Sequence, residues 1–292
     1  MFKGVFTAIV TPFKGDGSVD WDALKKLVEF QIENKVAGIV PMGTTGESPT
    51  LSHEEHDEVI GKVIEWVNKR CTVIAGTGSN ATAEAIRLTK HAAEAGADAC
   101  LVVNPYYNKP TQEGLYRHFK AVADAVSIPI VVYNIKGRTG INVETPTLMR
   151  LVKDCSNINA VKEASGNLDQ MKDVIAQRPD GFSVLSGDDG ITLDLIKAGG
   201  NGVVSVASNF IPDKMVAFVD AALNGNMDEA EKLNNELAAF FEGEFIETNP
   251  IPIKLALAWK GMCEEVYRLP MCEMSAANKE KWKKILQDMK LL

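Results

Sequence analysis

The sequence predicts an α/β protein, a (β/α)8 barrel followed by a small helical unit. Short apolar, β-branched segments recur along the chain with helical stretches between them, and this alternation is typical of a parallel sheet covered by helices. Eight such segments indicate closure into a barrel. A barrel of this kind takes about 250 residues, and the chain of 292 residues supplies them with a remainder.

The predicted strands are the eight most apolar short segments, at residues 5–12, 37–41, 71–76, 99–105, 128–134, 158–163, 182–187 and 202–206. Helix-start signals support the segments between them. Ser52 with Glu55 forms a capping box, and Asn167 stands at an N-cap position before Gln170. Strands and helices therefore alternate up to about residue 206.

The remainder of the chain is helical in character. A helix is predicted from Pro212 to Leu223, after which the segment LNGN breaks the pattern. Three further helical segments follow, MDEAEKLNNELAAFFEGEF, PIPIKLALAWKGM and SAANKEKWKKILQDM. We therefore divide the chain into a catalytic barrel, residues 1–224, and a C-terminal helical domain, residues 225–292.

Composition excludes several classes of function. Asp and Glu number 39 against 31 Lys and Arg, a net charge of −8, whereas nucleic-acid binding needs clustered basic residues. No apolar window reaches the roughly 18 residues of a membrane span, and the start MFKGVFTAIV is too short for a signal peptide. We expect a soluble, cytoplasmic protein that acts on small molecules and binds neither nucleic acid nor membrane.

A metal site is not expected. The five cysteines are widely and irregularly spaced, which fits neither a disulfide framework nor a CxxC site, and the four histidines contain no HExxH pattern. The acidic pair Asp188 and Asp189 is better explained as the cap of a helix after the seventh strand.

Candidate catalytic residues are the polar residues that end apolar strands, because the active site of a parallel barrel lies at the carboxyl ends of its strands. They are Thr11, GTTGES at 43–48, PYYN at 105–108, Tyr133 and Asn134 with Arg138, Lys162 with Glu163, and SGDD at 186–189.

Lys162 is the least expected of these, because it ends a strand that should be covered on both faces. A buried ammonium is costly unless it is paired or deprotonated, and a deprotonated amine attacks carbonyl groups. An ion pair with Glu163 or Asp189 explains the position equally well, so both interpretations stay open at this point. Lys254, also in an apolar stretch, is interpreted as a helix residue that extends its amine to solvent.

The remaining candidates are each ambiguous alone. Tyr133 ends the strand before Lys162 and can transfer a proton to a bound carbonyl compound, or simply pack at the barrel rim. Arg138 can bind a carboxylate bidentately or form a surface salt bridge. The GTTGE turn offers hydroxyls and backbone N–H groups to a carboxylate, but glycine-rich turns without ligands are abundant.

Six motifs stand in order along the chain: GTTGES at 43–48, PYYNKP at 105–110, YN with RTG at 133–140, VKEASGN at 161–167, SGDD at 186–189 and NPIPIK at 249–254. Together they resemble the dihydrodipicolinate synthase branch of the pyruvate-dependent Schiff-base aldolases, class I enzymes with a TIM barrel. The match runs the whole chain, and it favours the nucleophile interpretation of Lys162.

The resemblance implies a lyase that condenses pyruvate with L-aspartate 4-semialdehyde to 4-hydroxy-tetrahydrodipicolinate, the first committed step of the diaminopimelate route to lysine. Pyruvate would form a Schiff base on Lys162, and no cofactor would be needed. The catalytic residues it implies are Lys162, Tyr133, Thr44 and Tyr107, the last from a neighbouring subunit. The substrate-binding residues it implies are Thr45, Arg138, Gly187 and the backbone carbonyl of Val204.

The same resemblance implies feedback inhibition by L-lysine at a dimer interface, in a homodimer or homotetramer. The residues of that site would be Ser48, His53, His56, Gly78, Asn80, Glu84 and Tyr106. Ordinary roles remain open for some of them: His53 also suits a first helical turn, Glu84 a helix N-terminus, and Tyr106 packing at an interface.

One segment departs from the family pattern. A proline usual between the YN and RTG pairs is absent, and Ile135, Lys136 and Gly137 stand there instead. Glycine loosens a turn that proline would restrain, so we expect Arg138 to be less rigidly held. Sialic-acid lyase and the sugar-acid and hydroxyproline-pathway aldolases are alternative enzymes, and a catalytically silent sensor of pyruvate or lysine is the alternative outside enzymes.

Overall fold

The computed structural model describes residues 1–292. Eight parallel strands close into a barrel in chain order, and the eighth pairs with the first. The strands are β1 (Gly4–Ala8), β2 (Gly38–Val40), β3 (Thr72–Gly76), β4 (Ala99–Val103), β5 (Ile130–Asn134), β6 (Ile158–Glu163), β7 (Ser183–Ser186) and β8 (Gly202–Ser205). Each overlaps one predicted strand, so the predicted barrel is confirmed.

Helices follow the strands around the barrel and continue beyond it. They are α1 (Trp21–Glu33), α2 (His53–Val67), α3 (Thr82–Ala95), α4 (Gln112–Asp124), α5 (Lys136–Thr139), α6 (Thr145–Asp154), α7 (Leu168–Gln177), α8 (Thr192–Lys197), α9 (Pro212–Leu223), α10 (Met227–Gly243), α11 (Ile251–Trp259) and α12 (Ala276–Asp288). The capping box of Ser52 with Glu55 is present, and the Asn167 side chain caps α7. None of these helices has the length and apolar character needed to cross a bilayer.

The core has two layers, separated by the barrel wall. Side chains that alternate along the strands fill the barrel interior, where 11 buried residues form one cluster. The other cluster, of 63 buried residues, lies between the strands and the surrounding helices. Most apolar burial therefore comes from helices packing on the outside of the barrel.

The helices after residue 224 pack on one another and on α9. Trp282 of α12 is fully buried, its ring centroid lies 5.1 Å from that of Phe240, and its Nε1 donates to the Pro252 carbonyl at 2.9 Å. Helix α9 ends at Leu223 and α10 begins at Met227. The division into domains at residues 224 and 225 stays a prediction.

Lys254 corrects one interpretation of the sequence, because its amine does not reach solvent. Lys254 is fully buried in α11, and its Nζ lies 2.6 Å from Glu47 Oε1 and donates to the Val266 carbonyl at 2.8 Å. Burial lowers the pKa of Lys254, and the Glu47 carboxylate opposes that change. The segment after residue 260 covers the face of α11 that was expected to be open, so the ion pair joins α11 to the loop after β2.

Replacement of Lys254 by methionine should reduce the free energy of unfolding by about 3–5 kcal/mol, because the Glu47 carboxylate would stay buried without a partner. The midpoint of urea unfolding measures the effect. Glu47→Gln combined with Lys254→Met removes both charges and should recover part of the loss. Lys214→Met, at an exposed position of α9, is the matched control, and a Lys254→Met variant as stable as this control would contradict the assigned role.

Candidate active site

Lys162 and Tyr133 lie side by side at the carboxyl ends of β6 and β5. The two strands pair with Tyr133 opposite Lys162, and the Lys162 Nζ lies 4.2 Å from the centroid of the Tyr133 ring. Both side chains are about 5% exposed. The neighbour relation predicted from the sequence is confirmed.

The ion pair that was an alternative explanation of Lys162 is absent. The Glu163 carboxylate accepts hydrogen bonds from Asn134 Nδ2, at 3.2 Å to each oxygen. Asp189 Oδ2 accepts from the backbone N–H of Val206 at 2.8 Å. Lys162 is thus a buried amine whose acidic neighbours are bonded elsewhere, a state that favours a reactive amine.

Gly187, in the loop after β7, makes room for the Lys162 side chain. A Cβ atom at this position would lie 2.9 Å from Lys162 Cε and 2.6 Å from Ala164 Cβ. Any larger residue would push the lysine stem aside. Val204 of β8 is buried in the same interior cluster as Tyr133. Of the two predicted pocket residues, Gly187 is the one that lies against the lysine.

A buried polar network behind the two strands was not assigned by sequence reasoning. Glu163 is fully buried and also accepts from the Ser165 backbone N–H at 2.9 Å and from Gln170 Nε2 at 3.4 Å. Burial raises the pKa of Glu163, and its hydrogen bonds oppose the rise. Because side chains alternate along a strand, Asn134 and Glu163 point outward where Tyr133 and Lys162 point inward. The network therefore fixes the register of the two candidate catalytic residues.

The GTTGE loop after β2 presents Thr44 and Thr45 differently. Thr45 is buried, and its Oγ1 accepts from Asn249 Nδ2 at 3.0 Å, which leaves the hydroxyl hydrogen free to donate. Thr44 is half-buried and lines the same cavity as Tyr133. The Thr11 hydroxyl donates to the Gly46 carbonyl at 2.7 Å, which supports the loop from β1.

Arg138 belongs to α5, the single helical turn that follows β5. Its Nη2 donates to the backbone carbonyl of Asn249 at 3.2 Å, while the rest of the side chain is exposed. Gly140 closes the turn with φ of 74°. Asn249 thus contacts both residues predicted to bind carboxylates, Thr45 through its side chain and Arg138 through its backbone. Sequence reasoning missed it, although it opens the NPIPIK motif.

One cavity of about 430 Å³ is lined by residues predicted for both sites. Its lining includes Thr44, Tyr133 and Arg138 at one end. It also includes six of the seven residues predicted for the lysine site, Ser48, His53, His56, Gly78, Glu84 and Tyr106. Asn80, Tyr107, Thr45, Lys162, Gly187 and Val204 are not among the lining residues.

Among the residues predicted for the lysine site, Glu84 contacts two other side chains. Its carboxylate contacts His53 Nε2 at 2.6 Å and accepts from the Ser79 hydroxyl. These hydrogen bonds, led by that of Ser79, lower the pKa of Glu84. His56 is buried against the Gly76 carbonyl, 2.9 Å from its Nε2, and burial lowers the pKa of this imidazole. This end of the cavity therefore combines a carboxylate with a neutral imidazole.

Two predicted residues lie apart from these groups within the chain. Tyr107 is 88% exposed with φ of 73° and does not reach Lys162. The Asn80 backbone carbonyl accepts from Asn108 Nδ2 at 2.9 Å. No group of three or more His, Cys, Asp or Glu residues is arranged to hold a metal ion.

Comparison with known proteins extends these observations. A model of the dihydrodipicolinate synthetase family matches residues 1–289. The 4-hydroxy-tetrahydrodipicolinate synthase of Syntrophus aciditrophicus is 57% identical over 292 residues, which cover 100% of both chains.

Two solved structures have the same fold at full length. The dihydrodipicolinate synthase of Acinetobacter baumannii, complexed with pyruvate, has a TM-score of 0.97 and 43% identity and covers 100% of both chains. The enzyme of Cyanidioschyzon merolae, with lysine bound, has a TM-score of 0.97 and 42% identity over 100% of this chain and 99% of that one. The chain is therefore a lyase that belongs to the dihydrodipicolinate synthetase family.

Proposed function

We propose that this protein condenses pyruvate with L-aspartate 4-semialdehyde to give 4-hydroxy-tetrahydrodipicolinate, the first committed step of the diaminopimelate route to lysine, with Lys162 as the nucleophile. The observation that carries the proposal is the buried Lys162 amine, which has no acidic partner and lies 4.2 Å from the Tyr133 ring centroid. The 57% identity to a relative named for this synthase supports the choice of reaction.

Imine formation is the first stage. The Lys162 amine attacks C2 of pyruvate, and the carbinolamine loses water to give a protonated imine. Loss of a methyl proton then gives an enamine, because the protonated imine accepts the electron pair of the broken C–H bond. The covalent imine supplies the electron sink, so the reaction needs no cofactor.

Carbon–carbon bond formation and ring closure follow. The enamine carbon attacks the aldehyde carbon of the semialdehyde, and the aldehyde oxygen takes up a proton to become the 4-hydroxyl. The amine of the new side chain then attacks C2 and displaces the Lys162 amine. The cyclic imine is released with one water lost overall.

Proton transfer in these steps is assigned to hydroxyl groups at the cavity. Tyr133 is adjacent to Lys162 and lines the cavity together with Thr44, so the pair can relay a proton to and from the carbinolamine. Tyr107 completes the relay from a neighbouring subunit in a homodimer or homotetramer. Its 88% exposure within one chain is consistent with insertion into a second copy.

Two separate groups bind the two carboxylates. The buried Thr45 hydroxyl receives pyruvate, and the Gly187 segment and the Val204 carbonyl line the space beside it. Arg138 receives the semialdehyde carboxylate, for which a guanidinium offers paired donors. We further propose that the enzyme works in the cytoplasm.

Inhibition by L-lysine is proposed at the other end of the cavity. The Glu84 carboxylate is a partner for an ammonium group, and Ser48, His53, His56, Gly78, Asn80 and Tyr106 complete the site. A relative of 42% identity binds lysine, which supports the proposal.

Lys162→Ala should abolish the adduct that borohydride forms with pyruvate and should lower kcat by at least about three orders of magnitude, because covalent catalysis is lost. Mass spectrometry of the trapped protein measures the first effect and a steady-state assay the second. Lys172→Ala, at an exposed position of α7, is the control. An adduct without turnover of any aldehyde, N-acetylmannosamine and glyoxylate included, would indicate a silent imine binder instead.

Arg138→Ala and Asn249→Ala should each raise a different one of the two KM values. Arg138→Ala removes the guanidinium and should raise the KM for the semialdehyde about tenfold or more. Asn249→Ala removes the amide that orients Thr45 but retains the backbone carbonyl that Arg138 contacts, so it should mainly raise the KM for pyruvate. Equal effects of both variants on both KM values would refute the division of roles.

Lysine at millimolar concentration should inhibit turnover, and Glu84→Gln should weaken this inhibition about tenfold or more, because the carboxylate that receives an ammonium is removed. Turnover at increasing lysine concentration measures both. Glu94→Gln, exposed on the same helix α3, should retain the inhibition. If lysine does not change the turnover of the unaltered protein, the proposed lysine site is wrong.

A further inference from the structure

Two carboxyl groups from different parts of the chain meet in the core. Asp189 begins the short 3₁₀ turn after β7 and is 1% exposed, and Glu244 follows α10 and is 0% exposed. The two carboxyl groups lie close enough for the charge of each to act on the other. The pair joins the segment after residue 224 to the carboxyl end of the barrel.

Of the two carboxyl groups, only that of Asp189 accepts hydrogen bonds from backbone N–H groups. Asp189 Oδ2 accepts from the backbone N–H groups of Val206 at 2.8 Å and Ala207 at 3.1 Å, in the loop after β8. Asp189 Oδ1 and both oxygens of Glu244 have no donor among the other groups of the chain. The charged groups that face Glu244 are Asp189 and Asp188, and both are acids.

Two carboxylates cannot both remain ionised in this position. Burial penalises each charge, no cation compensates them, and each charge also repels the other. A proton retained on Glu244 removes one charge and supplies the O–H donor that Asp189 Oδ1 lacks. Burial raises the pKa of Glu244 well above its ordinary value, with the Asp189 charge as the next cause. Burial also raises the pKa of Asp189, but its hydrogen bonds, those from the backbone N–H groups of Val206 and Ala207 among them, oppose the rise, so the proton belongs to Glu244.

We propose that Glu244 and Asp189 share one proton, and that this pair holds the loops after β7 and β8 where they wall the Lys162 amine. Gly187, two residues before Asp189, is the residue whose Cβ would contact the Lys162 stem. Val204, whose carbonyl lines the proposed pocket, stands two residues before Val206. The catalytic part of this proposal rests on the proposed role of Lys162 as the nucleophile. Glu244 touches no reacting atom and is a positioning residue.

The shared proton makes stability depend on pH in a defined direction. The pKa of Glu244 is higher in the folded than in the unfolded state, so folding retains a proton. The stability that the pair contributes is complete below the ordinary pKa of a glutamic acid and is lost as pH rises towards the folded value. Glutamine is neutral at every pH and also donates to Asp189, so it should retain the contact without the pH dependence.

The experiment compares Glu244→Gln, Glu244→Leu and the exposed control Glu242→Gln on α10. The urea midpoint is measured from about pH 5 to about pH 9, upward from the ordinary pKa of a glutamic acid. In Glu244→Gln the urea midpoint should decline less as pH rises. Its kcat should stay within about twofold of that of the unaltered protein, because glutamine retains the donor to Asp189. A pH profile of Glu244→Gln parallel to that of the control would overturn the shared proton.

Glu244→Leu tests the positioning role, because it leaves Asp189 Oδ1 without a donor. It should lower kcat and the rate of pyruvate trapping by borohydride about tenfold or more, since small displacements at a reacting centre are costly. The KM for the semialdehyde, bound by Arg138 on the far side, should stay unchanged. An unchanged trapping rate would overturn the positioning role. If Glu244→Leu does not fold, the pH dependence of the urea midpoint of Glu244→Gln still tests the shared proton. Failure of borohydride trapping in the unaltered protein would contradict the role of Lys162 and leave the shared proton untouched.

Discussion

The pairing of β5 with β6 is the constraint on which the site depends. Alternation along the two strands sends Tyr133 and Lys162 into the barrel and Asn134 and Glu163 outward, one residue later in each case. A shift of β6 by one residue against β5 would turn Lys162 outward and bring the Glu163 carboxylate into the interior beside Tyr133. The hydrogen bonds of Asn134 with Glu163 oppose that shift, so a buried polar pair outside the barrel determines which amine lies inside it.

The segment after residue 224 supports the barrel loops from behind through buried polar contacts. Lys254 holds Glu47 in the loop after β2, and Asn249 holds Thr45 in that loop and Arg138 after β5. Glu244 is proposed to hold Asp189 after β7 in the same way. Apolar packing alone would leave such loops free to slide, whereas hydrogen bonds and charges fix direction as well as distance. The helical unit therefore acts as a scaffold for the loops that carry the chemistry.

The sequence was sufficient for the features that follow local rules. Strand periodicity and barrel closure predicted the eight strands, and chain order predicted that Tyr133 and Lys162 are neighbours. It was insufficient for Lys254, because the cover over α11 comes from residues beyond it and its partner Glu47 is 207 residues away in the chain. Asn249 and Glu244 were missed for the same reason, since no spacing within a helix indicates which distant loop a polar side chain meets.

The anchoring of the GTTGES loop bears on how the two ends of the cavity communicate. Thr44 and Ser48 line the cavity, and Glu47 between them is held by the buried Lys254. A ligand shifts an equilibrium only as far as it binds one state better than the other. Displacement of this loop would separate the buried ion pair of Glu47 with Lys254, so the proposed inhibition would act through side chains such as Thr44 and through the contents of the cavity.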